Sequence, residues 1–135
     1  MNELHLHIDG SLRRKTLNEW RPQLTGRPFG FKKGMTLQAC LECFGTTVAV
    51  LNNPSRLTRA VKEICADQRM AGIHKTELRF APHIHGFHQT AAITAAVAGL
   101  DSKTTLILCG LYGDSPDVLS SFVDAAKDQI KIVGI

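Results

Sequence analysis

The sequence contains no apolar run approaching the roughly 18 to 20 residues that a membrane helix needs. A membrane partner is therefore not expected. Its first stretch, Met1 to Gly10, is polar and histidine-rich and lacks the apolar segment of a secretory signal. It has no disulfide framework. Four cysteines stand at 40, 43, 65 and 109 with no extracellular spacing pattern. Cys40 and Cys43 form a C-x-x-C pair, but the second pair that a structural zinc site wants is absent. A thioredoxin-like pair would follow a strand and open a helix, whereas this pair lies inside a continuous helical stretch. Buried free thiols in a reducing, cytoplasmic setting are expected. There is no internal repeat, no low-complexity tract and no dividing linker. Hydrophobic residues make up 44% and charged residues 21% of the 135, ordinary globular usage that excludes wholesale disorder.

The formal net charge of +4 is unevenly placed. Up to Lys33 there are seven basic residues (Arg13, Arg14, Lys15, Arg21, Arg27, Lys32, Lys33) against three acids. Beyond it the chain carries nine of each sign. The basic residues are dispersed and have one aromatic stretch, Phe29 to Phe31. A nucleic-acid patch needs clustering on one face, so a solvated helix and loop are expected and nucleic acid is not an expected partner.

Residues 3 to 8 alternate strictly, with Leu4, Leu6 and Ile8 on one side and His5 and His7 on the other, a strand of period two. Asp9-Gly10-Ser11 ends it in a turn. Helical character runs from about Arg13 to Leu24, and Gly26 to Gly34 is a loop. Thr36 caps a helix from Leu37 to about Leu51. Asn52 to Ser55 breaks it, with Ser55 able to cap the next helix. That helix carries Leu57, Ala60, Val61, Ile64, Cys65, Gln68 and Met70 near the helical period and stops at Gly72. Lys75 to Phe80 is a strand, Pro82 to His88 a loop and Gln89 to Leu100 a helix. Thr104 to Cys109 is a near-continuous apolar strand of the kind buried on both faces. A loop from Gly110 to Pro116, a helix from Asp117 to Asp128 and a strand from Ile130 to Ile135 complete the pattern. Strands alternating with helices predict an α/β fold with a parallel sheet. A complete (β/α)8 barrel takes about 250 residues, so any barrel here is partial. A last strand with no helix after it leaves one sheet face poorly covered.

His5 and His7, at i and i+2 on a strand, place two imidazoles on one face, close enough to grip one metal ion. Imidazole suits zinc. Parallel sheets carry their sites beyond the carboxyl ends of the strands, where these histidines and Asp9 lie. Asp9 leaves the strand where it can meet a substrate hydroxyl or amine. Two ligands fall short of the three that a catalytic zinc site uses. Taken alone, the pattern more often describes satisfied structural histidines.

The wider segment, Glu3 to Arg13 (Glu-Leu-His-Leu-His-Ile-Asp-Gly-Ser-Leu-Arg), closely resembles the opening of the adenosine deaminase family. Thr76 to His83 is similar to that family's second barrel strand, Leu37 to Phe44 to its apolar lid helix, and Ile132 to Ile135 to the start of its fourth-strand motif. The resemblance runs in order along essentially the whole chain. It implies the N-terminal half of a (β/α)8 TIM barrel, about four parallel strands with helices outside. Residues 1–135 would form a partial domain whose C-terminal half is absent. It further implies a Zn2+-dependent hydrolase that deaminates adenosine or a related purine nucleoside. His5 and His7 would be zinc ligands. His7 and Asp9 would lie against the ribose end, and Leu37, Leu41 and Phe44 would line the lid. Cys40 stands where the family often has a phenylalanine, a departure that bears on lid shape. The remaining zinc ligands and the proton-transfer groups are expected beyond Ile135, leaving the isolated chain inactive. The alternative is a non-catalytic half-barrel that binds a ligand or self-associates through its exposed edges. The cytidine-deaminase zinc pattern, H-x-E with P-C-x-x-C, is absent.

Three further groups carry expectations. His83, His85 and His88 read as solvent-facing loop histidines rather than a substitute metal cluster. Glu77 and Arg79 read as charges paired within the sheet. Asp114, with Ser115, reads as a cap for the helix that follows.

Overall fold

A computed structural model describes residues 1–20 and 28–135. Four parallel strands form one sheet in the order β1-β2-β3-β4, with β1 at Asn2–His7, β2 at Lys75–Phe80, β3 at Thr104–Leu108 and β4 at Ile132–Gly134. Between them run α1 (Arg14–Trp20), α2 (Leu37–Val50), α3 (Pro54–Met70), α4 (Gln89–Gly99) and α5 (Pro116–Ala126). A short 3-10 turn at Pro82–Ile84 follows β2. The expected helix to Leu24 is borne out as far as Trp20. Its remainder, with Arg21, Arg27 and the start of the 26–34 loop, lies outside the described residues.

Local chemistry explains most of the boundaries. The Thr36 hydroxyl accepts from the Ala39 amide at 3.2 Å and opens α2. The Asn53 side chain accepts from the Arg56 amide at 3.0 Å, with Pro54 in the first turn, so Asn53 and not Ser55 caps α3. α5 starts after Ser115, whose side chain makes no capping bond, with Pro116 supplying the first-turn φ.

The helices cover one face of the sheet. Thr76, Leu78 and Phe80 of β2 and Thr104, Leu106 and Leu108 of β3 point into that core, and the residues between them are half-buried. The expectation that β3 is buried on both faces is corrected: its alternation is that of a sheet packed on one side. From α3, Leu57, Ala60, Val61, Ile64 and Cys65 enter the core, while Met70, grouped with them by period, is 83% exposed at the helix end. Gly99 lets α4 approach α3 closely, since a Cβ there would lie 2.7 Å from the Thr58 carbonyl and from Val61.

The early basic residues are partly spent on the fold. Arg13 donates from Nε and Nη2 to the Asp67 carboxylate at 2.6–3.1 Å, and Arg14 lies 5.8 Å over the Phe29 ring. None of the described helices is long and apolar enough to cross a membrane.

Candidate active site

The strand β1 is not regular. Glu3 pairs with Thr76 and Leu6 with Leu78, so three steps on β1 match two on β2. One residue is extra, and Leu4 and His5 together stand against Glu77. This is a β-bulge. It corrects the expected face for Leu4, which is 53% exposed on the open side instead of joining Leu6 and Ile8. Beyond the bulge the phase favours the site: Leu6 and Ile8 turn to the core and His7 to the open face.

The imidazoles of His5 and His7 converge. Their Nε2 atoms lie 3.1 Å apart, with ring centroids at 5.1 Å, and both side chains are exposed. Two nitrogens on one tetrahedral zinc at about 2.0–2.1 Å would stand roughly 3.3 Å apart, so the pair fits as two ligands of a single ion. Among the described residues no third His, Cys, Asp or Glu joins them in a metal-sized group.

The turn after β1 presents Asp9. The Ser11 amide bonds the Ile8 carbonyl at 3.1 Å, and the Ser11 hydroxyl donates to the His7 carbonyl at 2.6 Å, which fixes the turn. Asp9 Oδ1 is buried with no hydrogen-bond partner among the described residues. Burial pushes its carboxyl above the usual range, while His7 and the amides of Asp9 and Gly10 pull the other way. A buried acceptor without a donor is a place for a ligand hydroxyl or amine.

The helix α2 meets this turn through Phe44. A Cβ on Gly10 would lie 3.3 Å from the Phe44 ring, and Phe31 packs on Phe44 in a tilted arrangement with centroids 4.7 Å apart. A cavity of about 260 Å³ opens beside it, lined by Asp9, Gly10, Arg14, Phe29, Phe31 and Thr47 among others. Leu37 and Leu41, earlier on α2, are 76% and 53% exposed, and Phe44 is the expected lid residue that lies against the turn at Gly10. Cys40 is half-buried and Cys43 buried, and both are free thiols inside the helix, as the spacing predicts.

The other loop residues behave differently from expectation. His83 Nε2 lies 3.1 Å from Asp114 Oδ2, and the same carboxylate oxygen accepts from the Leu111 amide. Asp114 thus ties the β3–α5 loop to the β2–α4 loop instead of capping α5. His85 is 2% exposed and packs on Phe80, and His88 Nδ1 accepts from the Thr90 amide at the start of α4. His85 is buried and His83 half-buried against the Phe122 ring, so these two are structural instead of solvent-facing, whereas His88 is exposed as expected. Glu77 and Arg79 make no ion pair among the described residues. Arg79 Nη2 reaches the Leu4 carbonyl at 3.5 Å. Cys109, expected as a buried free thiol, is free and half-buried just after β3; burial pushes its thiol up, and it feels the charges of Arg79 and Asp9.

No protein-family profile matches the chain. It is 31% identical over 130 residues to the adenosine deaminase of Haemophilus ducreyi, covering 79% of this chain and 38% of that protein. It is 32% identical over 147 residues to the adenosine deaminase of Clostridium acetobutylicum, covering 93% and 44%. The N6-methyl-AMP deaminase of Arabidopsis thaliana superposes with a TM-score of 0.77 at 19% identity, over 99% of this chain and 49% of that one. An amidohydrolase of Burkholderia ambifaria with bound Zn superposes with a TM-score of 0.76 at 20% identity, over 99% and 42%. These superpositions establish the fold as about half of such a barrel. The chain spans less than half the length of the curated relatives it matches, and in sequence it belongs to the adenosine deaminase family.

Proposed function

We propose that these residues are the first half of a zinc-dependent purine deaminase, and that the complete protein hydrolyses adenosine or a related purine to the keto product and ammonia. The observation that carries this reading is the 3.1 Å convergence of His5 and His7 at the carboxyl end of β1, with the unpartnered Asp9 acceptor following. His5 and His7 hold the ion through Nε2. Zinc, when bound, supplies the acidity that makes water a nucleophile near neutral pH. Asp9 accepts from a ribose hydroxyl and so orients the nucleoside. Phe44 covers the base from α2 and keeps bulk water out, with Leu37 and Leu41 on the same helix forming the rest of the lid. The third ligand and the proton-transfer groups belong, on this reading, to the part of the relatives' length that this chain does not span. General acid/base catalysis is worth roughly 10²–10⁴-fold. The 135 residues alone are therefore expected to release no ammonia from adenosine. The reduced thiols fit a cytoplasmic setting.

The test is a zinc titration of the chain beside an ammonia assay of the complete protein. His5→Ala and His7→Ala should each weaken zinc binding more than about tenfold. His74→Ala, an exposed histidine outside β1, should leave it unchanged. Equal affinity in all three variants, with no purine turnover by the complete protein, defeats the reading.

A second reading rests on the exposed apolar side chains at the other edge, Ile130, Val133 and Ile135. Here the half-barrel associates with a second copy. Sedimentation equilibrium at micromolar concentration should then give a dimer, and a clean monomer sinks it.

A further inference from the structure

The bulge in β1 leaves one peptide group outside the sheet register, the one joining Leu4 to His5. Such a group must find other partners. Its N–H, on His5, donates to Glu3 Oε1 at 3.0 Å. Its carbonyl, on Leu4, accepts from Arg79 Nη2 at 3.5 Å. Two side chains therefore grip the same peptide from opposite sides. Arg79 comes from β2 at the position paired with His7, and its Nε is buried with no other partner among the described residues. The Glu3 bond is the closer of the two and involves a carboxylate, while the Arg79 contact is long and places its guanidinium beside the Leu4 carbonyl.

We infer that Glu3 and Arg79 are positioning residues for the histidine pair, clamping the bulged Leu4–His5 peptide so that His5 is held facing His7. The inference rests on the proposed metal-binding reading for its consequence, though not for its geometry. Without the clamp the bulge can slide along the strand. A one-residue slip in register turns a strand side chain to the opposite face. His5 is the residue at risk, since His7 lies beyond the bulge and is registered with Arg79. Neither Glu3 nor Arg79 needs to touch the ion.

Two measurements on the 135-residue chain test this. The first is metal-free amide exchange followed residue by residue. Glu3→Ala should speed exchange of the His5 amide at least about tenfold with little change at Leu78 or Leu106, because a lost hydrogen bond of about 1.5 kcal/mol or more corresponds to that factor. Glu3→Gln, which keeps an Oε1 acceptor, should restore protection. The second is a Co2+ titration read by its visible spectrum. Glu3→Ala and Arg79→Met should each weaken binding about 10–100-fold. Glu3→Gln and Arg79→Lys should recover most of it, at an unchanged melting temperature. Unchanged His5 exchange in Glu3→Ala overturns the clamp whatever the metal result. Faster His5 exchange with no Co2+ binding by the wild type upholds the clamp and removes the metal reading instead.

Discussion

Phe122→Ala should lower the unfolding free energy by about 3–5 kcal/mol, the usual cost of emptying a large aromatic site in a core. Phe122 is fully buried, and it is the one residue of α5 that is. The remaining apolar residues of that helix are half-exposed or exposed, so the ring anchors the whole element. Its influence extends to the loops. The ring lies 5.5 Å from the His83 imidazole, which in turn holds Asp114. Removing the ring therefore loosens α5 and the His83–Asp114 tie together, and the loss should sit at the upper end of the range. Urea unfolding of both proteins measures it. A variant within about 1 kcal/mol of wild type would show that α5 is fixed by something else.

Acid should destabilise the protein through His85 before its carboxylates titrate. Burial, helped by the neighbouring His83, holds the His85 imidazole down to about 4 from an ordinary 6.5. Its two ring nitrogens have no partner among the described residues, so nothing in the fold favours the charged form. The sign follows from proton counts. Below pH 6.5 the unfolded chain takes up a proton that the folded chain refuses until about pH 4. Stability from this residue is thus complete above pH 6.5 and falls between the two values. The full loss is about 3 kcal/mol, with about 2 kcal/mol gone by pH 5. Urea midpoints at pH 7.5, 6 and 5 should fall accordingly. His85→Phe, which suits the neighbouring Phe80 ring, should flatten the decline and match or exceed wild type at pH 5. Parallel profiles for the two proteins would assign the acid sensitivity elsewhere.

The alternation of strands and helices was legible because the core faces only one side of the sheet. Leu57, Ala60, Val61 and Ile64 repeat at the helical period and do lie inside. Leu78 with Phe80 and Leu106 with Leu108 repeat at the strand period. The shared face of His5 and His7 was legible for the same reason. The bulge was not, since Leu4, Leu6 and Ile8 alternate perfectly in the chain, and only pairing with β2 reveals the extra residue. The roles of Glu3 and Arg79 were hidden with it. His85 reads as a loop residue because its burial comes from Phe80 and the turn around it, not from its neighbours in sequence. Asp114 before Ser-Pro has the pattern of a helix cap. Its partner His83 arrives from the previous loop, 31 residues away in sequence, where no local pattern points to it.

The order of the sheet also bears on how the protein assembles. Thr76 pairs with Thr104 across a single helix, whereas Asn2 pairs with Lys75 across α1, α2 and α3. Closing the longer loop costs more chain entropy, and contacts distant in sequence form more slowly. The β2–β3 and β3–β4 pairs each span one helix and are the local ones, and β1 is the strand recruited across the greatest separation. The histidine pair and its turn ride on that strand. A refolding chain would therefore acquire most of its hydrophobic interior before it acquires its chemistry, and metal capture would report the end of folding rather than its beginning.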